Sequence, residues 1–235
     1  MPVCCRFYFE KSNPEVIILM ESVNRSPLLR EFLRAGDSLV TEGEVRPTDV
    51  VPVLASGRDG SPRGFPMKWG FTVPGIRPLF NARVETASLK PTFREAWARH
   101  RCIVPANFYY EWESRRRPAV REISPAGFST ETSRGGRNAS APIEVADHSR
   151  QQPRIKYAIG PTGCSITWLC ALYRLEGNLP HFVILTREPT EALREIHDRM
   201  PLILPPELCR DWVNPRLPPE TLLDQAVTDL TAVRA

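Results

Sequence analysis

Several polar residues of this 235-residue chain have side chains that could do chemistry, and they stand beside sequence typical of apolar strands. Asn81 and Arg83 alternate with Ala82 in FNARVET, which places both on one face of a strand. Glu111 lies between two aromatic residues in FYYEW. A carboxylate held against aromatic surface tends to have a raised pKa and can act as an acid or base near neutral pH.

Two further candidate groups lie elsewhere in the chain. His197 and Arg199 belong to EIHDRMPLIL, where the pattern predicts a helix over 189–197. The dipole at the end of such a helix favours the protonated form of His197. Cys4 and Cys5 form an adjacent thiol pair close to the N-terminus. A thiol is a candidate nucleophile.

Taken one at a time, these residues have ordinary structural interpretations. A glutamate on a strand is usually solvated or paired, and an arginine is usually an ion-pair partner. A histidine at a helix end is more often a cap, and an asparagine is often a turn residue. Cysteines near a terminus could be inert strand residues. Only the combination of these residues favours a chemical role.

Composition restricts the class of protein. Hydrophobic residues make up 42% and charged residues 25% of the chain, as in ordinary globular proteins. A net charge of +4 is compatible with a polyanionic partner. No run is apolar enough to span a bilayer, and no signal peptide is visible, so a cytoplasmic location is expected.

The six cysteines show neither metal spacing nor a disulfide framework, so no metal and no cofactor are expected. Cys102, Cys164 and Cys170 lie in apolar sequence and are expected to be buried.

The order of the elements predicts a mainly antiparallel α+β fold, because strands outnumber helices and short turns join them. Helices are predicted over 14–23, 27–35, 92–99 and 189–197, and around Trp212. Strands are predicted over 4–9, 67–71, 101–104, 108–112, 167–173, 181–186 and 202–204, and the range 45–54 is predicted to be a loop followed by a strand. The segment 114–153 is rich in Arg, Ser, Gly and Pro, and we expect a disordered basic insertion there. Its arginines could add phosphate contacts, or the segment could be a solvated linker.

Several motifs in order resemble the SRAP family, the SOS-response-associated, abasic-site-processing proteins. The motifs are CCRFYFE, RPTD, KWGF, FNARVET, RCIVPANFYYEW, ALYR, FVILT and IHDRMPLIL. The resemblance runs from Cys4 to about Trp212, apart from the insertion. It implies one α+β domain over 4–213, made of a mainly antiparallel, barrel-like β-sheet with peripheral helices, and a polar C-terminal tail over 214–235.

The resemblance also implies a role in the DNA damage response. Family members cap abasic sites in single-stranded DNA through a covalent bond to an N-terminal cysteine, with peptidase- or lyase-like activity. The resemblance therefore implies a nucleoid-associated monomer that acts on single-stranded DNA, replication-fork DNA included. The implied catalytic residues are Cys4, Asn81, Glu111 and His197; the implied DNA-binding residues are Arg6, Trp69, Arg83, Trp112 and Arg199.

The chemistry of an abasic site suits these residue types. Its ring-opened sugar exposes an aldehyde, with which an α-amine of pKa about 8 forms an imine. The thiol of the same cysteine can then close a five-membered thiazolidine. Glu111 can take and return the amine's proton, His197 can help to open the sugar, and Asn81 can hydrogen-bond the terminal residue or the sugar. Arginines suit phosphates, and a tryptophan offers a stacking face.

The N-terminus departs from the family pattern, because Met1-Pro2-Val3 precedes Cys4. With these residues attached, Cys4 has an amide nitrogen, which cannot form an imine. The true start could lie at Val3, the chain could cleave itself before Cys4, or crosslinking could have been lost; we favour the first. Phe108 and Leu172 also stand where the family usually has glycine.

Two other functions stay open at this stage. The chain could be a hydrolase in which the Cys4 thiol attacks peptide or amide bonds, assisted by Glu111 and His197. It could also be a module that binds single-stranded DNA without any covalent bond. A free α-amine distinguishes the crosslinker, because a thiol hydrolase does not need one.

Overall fold

The structure, a computed structural model, describes residues 6–113 and 154–235. Cys4, Cys5 and the insertion expected at 114–153 lie outside these residues. The described residues form twelve strands: β1 Arg6–Phe9, β2 Gly43–Val45, β3 Val50–Ser56, β4 Pro62–Trp69, β5 Asn81–Arg83, β6 Arg101–Ala106, β7 Phe108–Trp112, β8 Lys156–Pro161, β9 Thr167–Glu176, β10 Leu179–Arg187, β11 Met200–Pro201 and β12 Leu230–Arg234.

Helices surround the strands. The α-helices are α1 Pro14–Asn24, α2 Pro27–Arg34, α3 Val84–Ala87, α4 Pro91–Arg99 and α5 Cys209–Val213. Short 3₁₀ helices cover Glu191–Leu193, Pro206–Leu208 and Pro219–Gln225. In the described part of the chain, no helix is both long and apolar enough to cross a membrane.

Five strands close into a barrel. Strands β4, β3, β6 and β9 pair antiparallel in that order, and β10 pairs with both ends of the series, antiparallel to β9 and parallel to β4. The short strands β5 and β11 add to β10 near its C-terminal end. The predicted α+β class with a mainly antiparallel, barrel-like sheet is confirmed.

A second sheet carries the strand that contains Glu111. Its order is β12-β8-β7-β1-β2, and all its pairings are antiparallel. The segment 214–235 was expected to be a tail outside the domain, but β12 is the edge strand of this sheet. The tail therefore belongs to the fold.

Two clusters of buried side chains lie on opposite faces of the barrel strands. On β10, Phe182 and Ile184 belong to one cluster and Val183 and Leu185 to the other, as the alternation of a strand requires. The first cluster also includes the inner face of the second sheet, through residues such as Tyr109. The second lies against α4 and α5. Strand β7 is therefore anchored on the barrel by its inward side chains.

Local sequence explains the helix boundaries near the barrel. Asn13 caps α1, where its side chain accepts a hydrogen bond from the backbone N–H of Glu15 at 2.9 Å, and Pro14 occupies the first turn. Gly36 ends α2 with a φ of +86°, in the left-handed region that glycine tolerates. These helices begin and end close to the predicted residues.

Three local predictions are wrong. The helix expected over 189–197 is only the 3₁₀ turn Glu191–Leu193, so His197 does not lie at a helix end and the dipole argument fails. The gap expected between the strands 101–104 and 108–112 is shorter than predicted, because β6 continues through Pro105 and Ala106 and only Asn107 separates it from β7. Cys164 is exposed rather than buried, whereas Cys102 and Cys170 are buried as expected.

Candidate active site

The candidate active site centres on a buried carboxylate and imidazole. Along β7 the side chains alternate, which turns Tyr109 and Glu111 inward and Tyr110 and Trp112 outward. Glu111 is 4% exposed and His197 6%. The Oε1 atom of Glu111 lies 3.7 Å from the Nε2 atom of His197. The structure therefore brings together two of the residues predicted from sequence.

The loop that carries His197 is fixed from both sides. Before it, Leu193 and Ile196 are buried in the core cluster, and the backbone N–H of His197 donates to the Leu193 carbonyl at 3.0 Å. After it, Met200 and Pro201 form β11 and pair with β10. A loop held in this way positions an imidazole without a helix.

The Nδ1 atom of His197 has two neighbours. The Oδ1 atom of Asp198 lies 2.7 Å away, and the backbone N–H of Arg199 points at the same nitrogen with an N–N distance of 3.2 Å. The ring therefore lies between two carboxylates, Glu111 at Nε2 and Asp198 at Nδ1.

Strand β5 places Asn81 and Arg83 beside β10. In the parallel pairing, Asn81 lies opposite Ile184 and Arg83 opposite Thr186. Ala82 is buried, while Asn81 is half-buried and Arg83 exposed, so the predicted shared face is confirmed. Arg83 is therefore accessible to a ligand.

Arg199 forms an ion pair with Glu85. Its guanidinium donates to both carboxylate oxygens of Glu85, at 2.9 and 2.8 Å, and to the Thr186 carbonyl at 2.6 Å. Burial alone would raise the pKa of Glu85, but the hydrogen bonds from Arg199 outweigh it, and the pKa lies below its ordinary value. A phosphate that approaches Arg199 must share or displace this carboxylate.

The outer face of the second sheet carries cations against aromatic rings. Arg6 lies opposite Tyr110 in the β1–β7 pairing, and Lys156 lies opposite Trp112 in the β7–β8 pairing. The Arg6 guanidinium carbon is 5.4 Å from the centre of the Trp112 ring, and the Nζ atom of Lys156 is 3.4 Å from the centre of the Tyr110 ring. We call Arg6, Tyr110, Trp112 and Lys156 the basic aromatic face.

Glu44 forms ion pairs with the cations of this face. Its carboxylate lies 2.8 Å from Arg6, 3.1 Å from Arg46 and 3.2 Å from Lys156. Burial alone would raise the pKa of Glu44, but the hydrogen bonds from Lys156 and Arg46 outweigh it and lower the pKa. One carboxylate among three cations leaves net positive charge, which suits a polyanion.

Trp69, predicted to stack on a base, lies in the core. Its exposed fraction is 0%, its ring packs against Phe7 and Phe182, and its indole N–H donates to the Phe80 carbonyl at 2.9 Å. This placement leaves no face of the ring for a base, so the structure does not support the stacking role. Trp112, by contrast, lies half-buried on the outer face of β7.

Sequence reasoning missed Lys156, Glu44 and Asp198. Lys156 and Glu44 reach the basic aromatic face only through strand pairing, which the sequence does not disclose. Asp198 could have been found from its position next to His197. Within residues 6–113 and 154–235, no three His, Cys, Asp or Glu side chains are grouped to hold a metal ion.

The chain matches a known protein family and several named relatives. A sequence model of the family described as SOS response associated peptidase (SRAP) matches residues 3–234. Abasic site processing protein YobE of Bacillus subtilis (strain 168) is 29% identical over 196 residues, covering 77% of this chain and 74% of that protein. Abasic site processing protein YedK of Escherichia coli (strain K12) is 30% identical over 164 residues, covering 68% and 60%.

Solved structures share the fold. A protein from Bacteroides thetaiotaomicron superposes with a TM-score of 0.65 at 19% identity, covering 98% of this chain and 91% of that one. A phage-related protein from Bordetella bronchiseptica superposes with a TM-score of 0.63 at 21% identity, covering 99% and 94%. At these identities the likeness concerns the fold alone.

Proposed function

Because the chain belongs to the SOS response associated peptidase (SRAP) family, we propose that it processes abasic sites in single-stranded DNA. The proposal includes a covalent bond between the ring-opened sugar and Cys4, acting as the first residue of the mature chain. Relatives named as abasic site processing proteins support the substrate.

The observation that carries the proposal is the buried pair of Glu111 and His197, 3.7 Å apart. Imine formation needs a group that takes a proton from the amine and a group that gives one to the leaving oxygen. A carboxylate and an imidazole shielded from water are suited to both transfers. The gap between their nearest atoms exceeds a hydrogen bond but is too short to hold a water between them, so a reacting group would contact both from beside the pair.

The bond changes balance without any oxidant or cofactor. The α-amine of Cys4 adds to the C1′ aldehyde, and the carbinolamine loses one water to give an imine. The thiol then adds across the carbon–nitrogen double bond: its sulfur bonds to carbon and its proton goes to nitrogen. The product is a thiazolidine, and the net loss is one water. Glu111 and His197 move these protons, and Asn81 orients the sugar or the terminal residue.

The basic aromatic face is the proposed path of the DNA strand. Arg6 and Lys156 offer charge to phosphates, and the Trp112 ring offers a face to a base. Exposed Arg83 extends the positive charge beside β10. Stacking on an aromatic ring requires an unpaired base, which favours single-stranded over duplex DNA.

The test uses protein produced to begin at Cys4. It is incubated with a single-stranded oligonucleotide that contains one abasic site, and the mixture is run on a denaturing gel. We expect a heat-stable band of lower mobility, absent with an oligonucleotide that has no abasic site.

The chain offers two matched controls. Cys4→Ala keeps the α-amine and loses the thiol, so no thiazolidine forms. Protein that retains Met1-Pro2-Val3 keeps the thiol but blocks the amine of Cys4, so a thiol hydrolase would stay active whereas the crosslinker would not. If the protein beginning at Cys4 gives no shifted band, the proposed crosslinking is wrong.

A further inference from the structure

We propose that the carboxylate of Glu85 competes with a DNA phosphate for the guanidinium of Arg199 and so limits how tightly the protein binds single-stranded DNA. The choice of ligand rests on the proposed function. The competition itself concerns the affinity for DNA that has no abasic site, and it can be measured without any crosslink.

Glu85 occupies the part of Arg199 that a phosphate would use. The Nη1 and Nη2 atoms of Arg199 donate to the Oε1 and Oε2 atoms of Glu85 at 2.9 and 2.8 Å. Two parallel N–H groups are also the means by which an arginine binds a phosphate bidentately. Since Nη2 donates to the Thr186 carbonyl as well, at 2.6 Å, a bidentate phosphate must displace the Glu85 carboxylate.

Arg199 nevertheless has donors to spare. A guanidinium has five N–H groups, and the bonds to Glu85 and Thr186 use three of them. Within residues 6–113 and 154–235, the buried Nε atom of Arg199 has no hydrogen-bond partner. The side chain is only 10% exposed, and an unsatisfied donor at such a site is costly. A ligand with several oxygens, such as a phosphate, would supply the missing acceptor.

The charges around Arg199 favour an anion. Arg83 is exposed and lies opposite Thr186 in the β5–β10 pairing, and the carbonyl of the same Thr186 accepts from Arg199. Two arginines therefore flank one position of β10, and Glu85 is the carboxylate paired with one of them. These three charges sum to +1 with Glu85 ionised and to +2 without its charge. The cost of Glu85 to a phosphate is therefore electrostatic as well as steric.

The Glu85 carboxylate can leave Arg199 without disturbing the core. Its side chain is 44% exposed, whereas Ala87 is the residue of α3 that is buried. The pKa of Glu85 lies below its ordinary value of 4.5, so the carboxylate is ionised at neutral pH. A variant without this charge should therefore fold and differ at Arg199.

The direct test is the binding of unmodified single-stranded DNA to Glu85→Gln, measured by fluorescence anisotropy at several salt concentrations with protein beginning at Cys4. Glutamine keeps the shape of the side chain and loses the charge. We expect binding to be about twofold to fivefold tighter, the range for a partly exposed ion pair. The slope of log K against log salt should steepen by about 0.7, because one more cation can neutralise a phosphate. Equal or weaker binding would overturn the proposal, since Glu85 would then not compete with DNA.

A double-mutant cycle shows whether the effect acts through Arg199. The gain from Glu85→Gln should disappear in the Arg199→Gln background. An equal gain in that background would reveal a general effect of charge and would contradict competition for Arg199. Glu31→Gln is the matched control, because it removes the carboxylate of another exposed ion pair, with Arg34, on α2. It should keep the parent affinity and salt dependence.

Methylphosphonate substitution locates the phosphate. Each oligonucleotide has one phosphate replaced by an uncharged methylphosphonate. At one position the replacement should weaken binding to Glu85→Gln more than binding to the parent, and Arg199→Gln should abolish that difference. If no position behaves in this way, Arg199 binds no phosphate and the proposal is wrong.

These tests separate the two proposals, because none of them uses an abasic site. No adduct with abasic DNA would refute the proposed crosslinking, while the affinities would still decide whether Glu85 competes with a phosphate. A parent protein that does not bind single-stranded DNA would refute both the proposed ligand and the competition.

Discussion

The Oε1 atom of Glu111 lies 3.7 Å from the Nε2 atom of His197, and more than nine-tenths of each residue is buried. Glu111 comes from β7 of the open sheet, and His197 from the loop between β10 and β11 of the barrel. Neither sheet contains both residues of the site. The packing of the two sheets on one core cluster therefore creates the pair.

Removing the charge of Glu111 should slow adduct formation and leave DNA binding intact. Glu111→Gln keeps the shape of the side chain but cannot take a proton, so we expect the rate to fall about a hundredfold or more. His197→Ala should also slow formation or reversal of the adduct. Rates are measured on denaturing gels, and affinity for unmodified single-stranded DNA by fluorescence anisotropy.

Glu207→Gln is the matched control for Glu111→Gln, because it makes the same change at an exposed residue of the 3₁₀ helix Pro206–Leu208. It should keep the parent rate and affinity. A Glu111→Gln protein as fast as the parent would show that this carboxylate moves no proton in the slow step.

Strand alternation accounts for what the sequence predicted correctly at the site. The period of two places Asn81 and Arg83 on the face opposite buried Ala82, and it turns Tyr110 and Trp112 away from Glu111, which the sequence had expected to lie against them. Both results depend only on neighbouring residues. They needed no knowledge of which strands pair.

Long-range packing accounts for what the sequence missed. The predicted helix over 189–197 gives way to a 3₁₀ turn because Leu193 and Ile196 enter the core and Met200-Pro201 pairs with β10. Likewise, the sequence LTAVR (Leu230–Arg234) was predicted to be part of a tail. It forms β12 only because it pairs with the edge of β8, which is distant in sequence. Trp69 was assigned by motif, and nothing local shows that Phe7 and Phe182 cover its ring.

Thiol reactivity should follow burial among the described cysteines. Burial raises the pKa of the Cys102, Cys170 and Cys209 thiols, so they should stay unreactive towards Ellman's reagent until the protein unfolds. Exposed Cys164 should react in the native protein.

Cys164→Ser tests this assignment, since it should remove one fast-reacting thiol and leave adduct formation unchanged. Rapid native labelling of Cys102 or Cys170 would contradict the structure. Loss of the adduct in Cys164→Ser would weaken the case for Cys4 as the nucleophile.

The pair of Glu85 and Arg199 should make stability depend on pH. The pKa of Glu85 is lowered from its ordinary value of 4.5, so its contribution is complete above that value and is lost as the pH falls through the lowered pKa of the folded state. Because the Glu85 side chain is 44% exposed, we expect Glu85→Gln to lower the free energy of unfolding at neutral pH by only about 1 kcal/mol.

Urea unfolding of the parent and of Glu85→Gln at several pH values measures this difference. It should shrink as the solution is acidified, because the carboxyl of the parent is then protonated as well. Glu31→Gln, which removes the exposed Glu31–Arg34 pair, should have a smaller effect at neutral pH. A Glu85→Gln deficit that is the same in acid would mean that the ion pair is not its cause.

The two tryptophans should separate folding from DNA binding. Trp69→Phe keeps a ring in the core but loses volume and the hydrogen bond to the Phe80 carbonyl, so we expect it to lower the free energy of unfolding by about 1 to 3 kcal/mol. Its affinity for single-stranded DNA should stay near that of the parent. Urea unfolding and fluorescence anisotropy are measured on the same samples.

Trp112→Ala should show the reverse pattern. Its ring lies on the outer face against Arg6, so its removal should change the free energy of unfolding by no more than about 1 kcal/mol. The loss of a stacking face should weaken binding of single-stranded DNA by about 1 to 3 kcal/mol. If Trp69→Phe weakened DNA binding in a protein of parental stability while Trp112→Ala did not, the base would stack on Trp69, and its burial would have to be relieved when DNA binds.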